Sequence, residues 1–152
     1  MLQLLAAVEI LETYGVRSEI YSATSYGELR REGLECERNN RLNPSDSRQI
    51  PYVEELLGDG TNPTIAVSDN QIAVPDMIRQ WVGGDYTILG TDGFGRSDTR
   101  PNLRKFFEID SQSITLAALS TLVRSGTIKI GVYDKAVKDL GVSKDREDIT
   151  AL

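Results

Sequence analysis

The sequence predicts an α/β layered domain with a mostly parallel sheet, and three observations carry that expectation. Segments with helical spacing alternate along the chain with short β-branched or aromatic runs. One run, Pro63-Thr64-Ile65-Ala66-Val67-Ser68, is compact, apolar and bounded by turn residues, the profile of a parallel strand buried on both faces. A loop loaded with glycine and charge, Gly90 to Arg100, follows a second apolar run and precedes a helix, and such strand-to-helix handovers are where open α/β sheets gather their sites. At 152 residues the chain is read as one domain, long enough to bury about two-thirds of the surface its unfolded form exposes.

The elements follow in order. Leu2 to Tyr14 sets Leu4, Leu5, Val8, Leu11 and Tyr14 at three- and four-residue spacing against Glu9, Glu12 and Thr13, an amphipathic helix closed by Gly15. That pattern is under way at residue 2 with no capping residue before it, so the chain is expected to be a piece of a longer protein. Val16 to Thr24, β-branched or aromatic at Val16, Ile20, Tyr21 and Thr24, is expected to be a strand. Ser25 and Glu28 match a capping box and start a short helix toward Gly33. Leu34 to Pro51 is polar and irregular, a long connection read as a solvated surface loop, as a functional or disordered segment, or as one packed against something absent.

Tyr52 to Leu57 forms a short helix stopped by Gly58, Gly60 and Pro63, and the strand of residues 63–68 ends at Asp69-Asn70. Pro75 opens a helix whose apolar face is Met77, Ile78, Trp81 and Val82 and which Gly83-Gly84 closes. Tyr86 to Leu89 is the next strand, and Pro101 to Phe107 the helix beyond the loop. Asp110 caps a helix that buries Ile114, Ala118, Leu119, Leu122 and Val123 and stops at Gly126. A final helix from about Val132 to Leu140 ends at Gly141, and the polar tail from Val142 to Leu152 is expected to fray.

Composition removes several classes of chemistry. A formal charge of −6 opposes a broad nucleic-acid or anionic-membrane footprint, so neither is expected as a partner. The single cysteine, Cys36, excludes an internal disulfide. Without any histidine the chain builds no His-based metal site and no Ser-His or Cys-His nucleophile pair. Cys36 lies between Glu35 and Glu37, whose field raises rather than lowers a thiol pKa, and it makes a poor nucleophile. No apolar run reaches the roughly 20 residues of a membrane helix, and a soluble, cytoplasmic chain is expected.

The loop is the candidate site: Thr91, Asp92, Gly93, Phe94, Gly95, Arg96, Ser97, Asp98 and Arg100. Its residues alone leave two readings open. In the first it cradles a dinucleotide phosphate, but Gly93-Phe94-Gly95 is followed by Asp98 where the fingerprint needs its third glycine, the one that lets helix and strand pack closely. In the second it is a self-satisfying structural loop, with glycines turning the chain, Asp92 and Asp98 accepting backbone N–H bonds, and Arg96 or Arg100 pairing with a carboxylate. Trp81 and the pair Phe106-Phe107 are read as core rather than as groups that stack on a ligand.

Residues 89–100, followed by Asn102-Leu103-Arg104 and Phe106-Phe107-Glu108, closely resemble the carboxy-terminal region of the homodimeric pyruvate dehydrogenases. Residues 21–33, Glu37-Arg38 with Asn40, Leu42 and Pro44, and Ile50-Pro51-Tyr52 support the resemblance, which covers essentially the whole chain. It implies the transketolase carboxy-terminal fold, a three-layer α/β/α unit, in which a strand inside the sheet precedes the helix matching Leu2 to Tyr14. This chain holds no such strand, so three parallel strands in an incompletely filled sheet are expected.

The resemblance also implies a parent enzyme that decarboxylates pyruvate on thiamine diphosphate with magnesium and passes the acetyl unit to the lipoyl group of an acyltransferase component. In that family the catalytic and cofactor-binding residues lie in the preceding domains, so none is assigned here: no catalytic, cofactor or metal residue is expected in this chain. Its implied role is structural, packing against the preceding domains and the twofold partner of a homodimer, with the loop facing the interior of the assembly. A free-standing binding or dimerisation module of the same fold is the alternative. The chain departs from the family at Asn39 and Asn43, where tryptophan and histidine are usual, at Asn70, and through Gln71 to Asp76.

Overall fold

A computed structural model of the chain describes residues 1–143 and 145. Its elements run α1 (Leu2–Thr13), α2 (Tyr26–Leu42), α3 (Tyr52–Leu57), β1 (Thr64–Val67), α4 (Ala73–Asp76), a 3-10 turn (Arg79–Trp81), β2 (Tyr86–Leu89), α5 (Arg100–Phe106), α6 (Ser111–Arg124) and α7 (Ile130–Asp139). β1 and β2 pair in parallel with Thr64 opposite Tyr86 and Val67 opposite Leu89. Strand alternation turns Ala66, Tyr86 and Ile88 to one face of this ribbon, where they pack with Tyr26 and Leu29 from α2, Val53 from α3, Trp81 from the 3-10 turn and Ile78 just before it. The opposite layer is α1, α6 and α7, packed around Leu11, Leu116, Leu119 and Ala136. The layered α/β expectation therefore holds.

The sheet has two strands among the described residues, not the expected three. Residues 16–24 form no strand: Val16 tucks against the α1–α6–α7 core, but everything from Arg17 to Ser25 is exposed. An alternating pattern makes a strand only where a neighbour offers a hydrogen-bonding edge and an apolar surface to cover, and this segment meets neither.

The second correction is α2, which runs 17 residues to Leu42 instead of stopping at Gly33. Ser25 does cap it, its hydroxyl accepting from the Glu28 N–H. Gly33 reads as a stop in sequence, yet here its bare Cα faces the ring of Trp81, and a Cβ built on it would fall 2.5 Å from Trp81 Cζ2. The ring is buried and donates through Nε1 to Glu37 at 3.0 Å, so two positions one turn apart on α2 hold the same indole. The irregular segment expected over residues 34–51 is consequently helix for its first half. The remainder folds back along α2 through an amide clasp, Asn40 Nδ2 donating to the Gln49 carbonyl at 2.8 Å and the Gln49 N–H to Asn40 Oδ1 at 2.7 Å. Asn39 Nδ2 donates to the Gln49 side chain, and Asn43 Nδ2 donates to the Asn39 carbonyl at the helix end.

Smaller differences have local causes. The helix expected over Pro75 to Val82 is one α-turn, α4, followed by the 3-10 turn. The 3-10 turn leaves Trp81 buried and places the Arg79 guanidinium 5.1 Å over the Tyr86 ring, where it donates to the Tyr86 carbonyl. Burial pushes the Tyr86 hydroxyl up, and it donates to the Pro75 carbonyl at 2.9 Å. At the entry to both strands the turns at Gly58–Gly60 and Gly83–Gly84 lie backbone against backbone, with the Gly83 N–H donating to Leu57 O at 2.9 Å. In α6, Asp110 caps as expected, accepting from the Ser113 N–H at 2.9 Å. Its buried face includes Ile114 and Leu119 but also Thr115 and Thr121, which pair their hydroxyls with Ser111 O and Ala117 O of the preceding turn. Such a bond lets a threonine bury like an apolar residue. Val142 joins the α1–α6–α7 core, while the fraying expected of the tail falls mostly on residues 144 and 146–152, outside the described residues.

Candidate functional site

The loop leaves β2 at the carboxyl edge of the parallel pair, where such sheets place their sites. Gly90 is buried against the turn that ends β1, and a Cβ there would lie 2.8 Å from Asn70 O and 2.9 Å from Ile72 N. Thr91 is bound to that turn twice, its N–H donating to Asn70 O at 3.0 Å and its hydroxyl to Asp69 O at 2.9 Å. Asp92 completes the strap, Oδ1 accepting the Ile72 N–H at 2.9 Å. The sequence reading of Asp92 as a backbone acceptor holds, and its partner lies 20 residues upstream.

Asp92→Ala is expected to cost about 1–2 kcal/mol, because it leaves the part-buried Ile72 N–H without its acceptor. Thermal melting of this variant beside Asp98→Ala checks it: equal losses would show that the Ile72 bond has no special weight.

Beyond Asp92 the loop turns outward. Gly93 takes φ +95°, a conformation that favours glycine, and residues 93–100 are all exposed, Phe94 to 83%. Gly95 does not share that geometry: its φ is outside the left-handed region and a Cβ would meet nothing within 4 Å. Asp98 closes the loop as the polar lead-in to α5, its Oδ1 accepting from Thr99 N–H at 2.7 Å and from Asn102 Nδ2 at 2.8 Å. Those two donors, with Arg96 nearby, hold its carboxyl below the usual aspartate range. All of these groups are exposed, so Asp98 satisfies no buried donor. The expected carboxylate partner for Arg96 or Arg100 is absent among the described residues. Arg96 instead lies 4.4 Å over the ring of Phe106, which meets Phe107 edge to face at 5.0 Å.

Three neighbouring features were not singled out in the sequence. Arg104 and Lys105 on α5, with Asn102, line one side of an open cleft of about 330 Å³ whose other wall includes Gln3 and Ser111. The signal for the first was present, since Arg100 and Arg104 are four residues apart and share a helical face. Glu108 ends α5 in the left-handed region at φ +55°, a place glycine usually takes, with Glu108 N and Ile109 N bonding back to Lys105 O and Arg104 O. It lines a second cleft, of about 230 Å³, between the end of β2, α6 and α7, where Leu89, Leu116 and Val137 face one another. At Cys36 the thiol is pushed up, in the direction expected, but chiefly by burial and by the hydrogen bond and charge of Glu32, with a smaller part from Glu35 and none from Glu37.

No group of three His, Cys, Asp or Glu able to hold a metal ion occurs among the described residues. Nor is any helix among them long and apolar enough to cross a membrane. The loop thus offers an exposed aromatic side chain, guanidinium groups and a rigid base, and no nucleophile with an adjacent base.

The fold and the match along residues 1–110 place the chain in the family described as the transketolase-like TK C-terminal domain, and it belongs to that family. More particularly, it is similar to the carboxy-terminal region of the pyruvate dehydrogenase E1 component. It is 43% identical to that of Haemophilus influenzae over 93% of this chain and 16% of the relative. The figure is 46% for that of Corynebacterium glutamicum, over 88% of this chain and 15% of the relative. For that of Escherichia coli K12 it is 41%, over 92% of this chain and 16% of the relative. The chain therefore spans about one sixth of the length of the curated relatives it matches.

Proposed function

We propose that this chain is the carboxy-terminal domain of a cytoplasmic, thiamine-diphosphate-dependent pyruvate dehydrogenase that decarboxylates pyruvate and transfers the acetyl unit to a lipoyl group. The observation that carries the reading is identity of 38–46% to pyruvate dehydrogenase E1 components across most of the chain. Thiamine diphosphate and magnesium would be held by the preceding domains. The described residues of this chain offer no ligand cluster for the metal, and no chemical step is assigned to them. The domain's part is architectural. It presents the loop 91–100 on the rigid edge formed by Gly90, Thr91 and Asp92 and uses it to contact the twofold partner of a homodimer.

The test is the full-length protein that carries this chain. It is expected to release CO2 from pyruvate and acetylate lipoyl groups only with thiamine diphosphate and magnesium, while the isolated chain does neither. A full-length protein that leaves pyruvate untouched under those conditions overturns the assignment.

A further inference from the structure

We draw no further inference here: the strongest candidate, the edge of β1 left unpaired in the two-stranded sheet together with the exposed segment of residues 17–24, restates the family fold, in which a strand preceding α1 lies inside the sheet.

Discussion

Gly33→Ala is expected to destabilise the domain by about 3 kcal/mol, at the upper end of what one added methyl costs in a packed core. The new Cβ would lie within 2.5–2.7 Å of three atoms of the Trp81 ring. The ring has nowhere to go, because it is buried and its Nε1 is fixed by Glu37 on the same helix. The decisive measurement is a double-variant cycle. Trp81→Leu alone opens a void and should itself cost about 2–4 kcal/mol, but in that background the added methyl has room and its penalty should largely vanish. If Gly33→Ala costs the same in both backgrounds, the penalty belongs to the helix backbone and not to the indole.

Gly83→Ala is the second large effect, and it falls at the amino-terminal edge of the sheet. A Cβ on Gly83 would fall 2.4 Å from Gly58 O and 2.6 Å from Gly60 N. These are backbone atoms, which cannot rotate aside as a side chain can, so relief requires parting the turns that feed β1 and β2. Parting them breaks the Gly83 N–H to Leu57 O bond as well. A loss of more than about 3 kcal/mol is expected, read as a drop in melting temperature. Gly95→Ala is the control, expected to stay within about 0.5 kcal/mol because it meets open space without left-handed strain. A larger drop at Gly95 than at Gly83 would invert this account.

The contrast between these glycines shows what the sequence made legible. The strands at residues 64–67 and 86–89 were readable because their apolar runs are short, β-branched or aromatic, and closed on both sides by turn residues. The caps at Ser25 and Asp110 were readable because capping needs only one side chain and one nearby N–H. Trp81 was placed in the core correctly. Gly33 was not readable. A glycine that ends a helix and one that admits a neighbour's ring look alike until the neighbour is known, and Trp81 lies 48 residues away. Residues 16–24 failed for a similar reason, since an alternating pattern does not say whether an edge is available to pair with.

In the loop, composition correctly announced aspartates that bind backbone N–H groups, yet it did not say which glycine carries the turn. That is Gly93, at φ +95°, not Gly95. It also suggested an ion pair for Arg96, whereas an aromatic ring two residues beyond Arg104 was the partner. Charge complementarity is easy to suppose from sequence, while stacking depends on how α5 folds back toward the loop.

The strap at Gly90, Thr91 and Asp92 bears on how fast and how tightly the contact proposed for this loop would form. With Asp92 tied to Ile72 N–H at one end and Asp98 tied to Asn102 at the other, Phe94 and Arg96 move on a short leash. Each residue that must be immobilised on association costs about 1–2 kcal/mol of backbone entropy, and the two tethers confine that cost to the few residues between them. Cutting either tether would lengthen the leash and slow the formation of a productive encounter while leaving every contact residue in place.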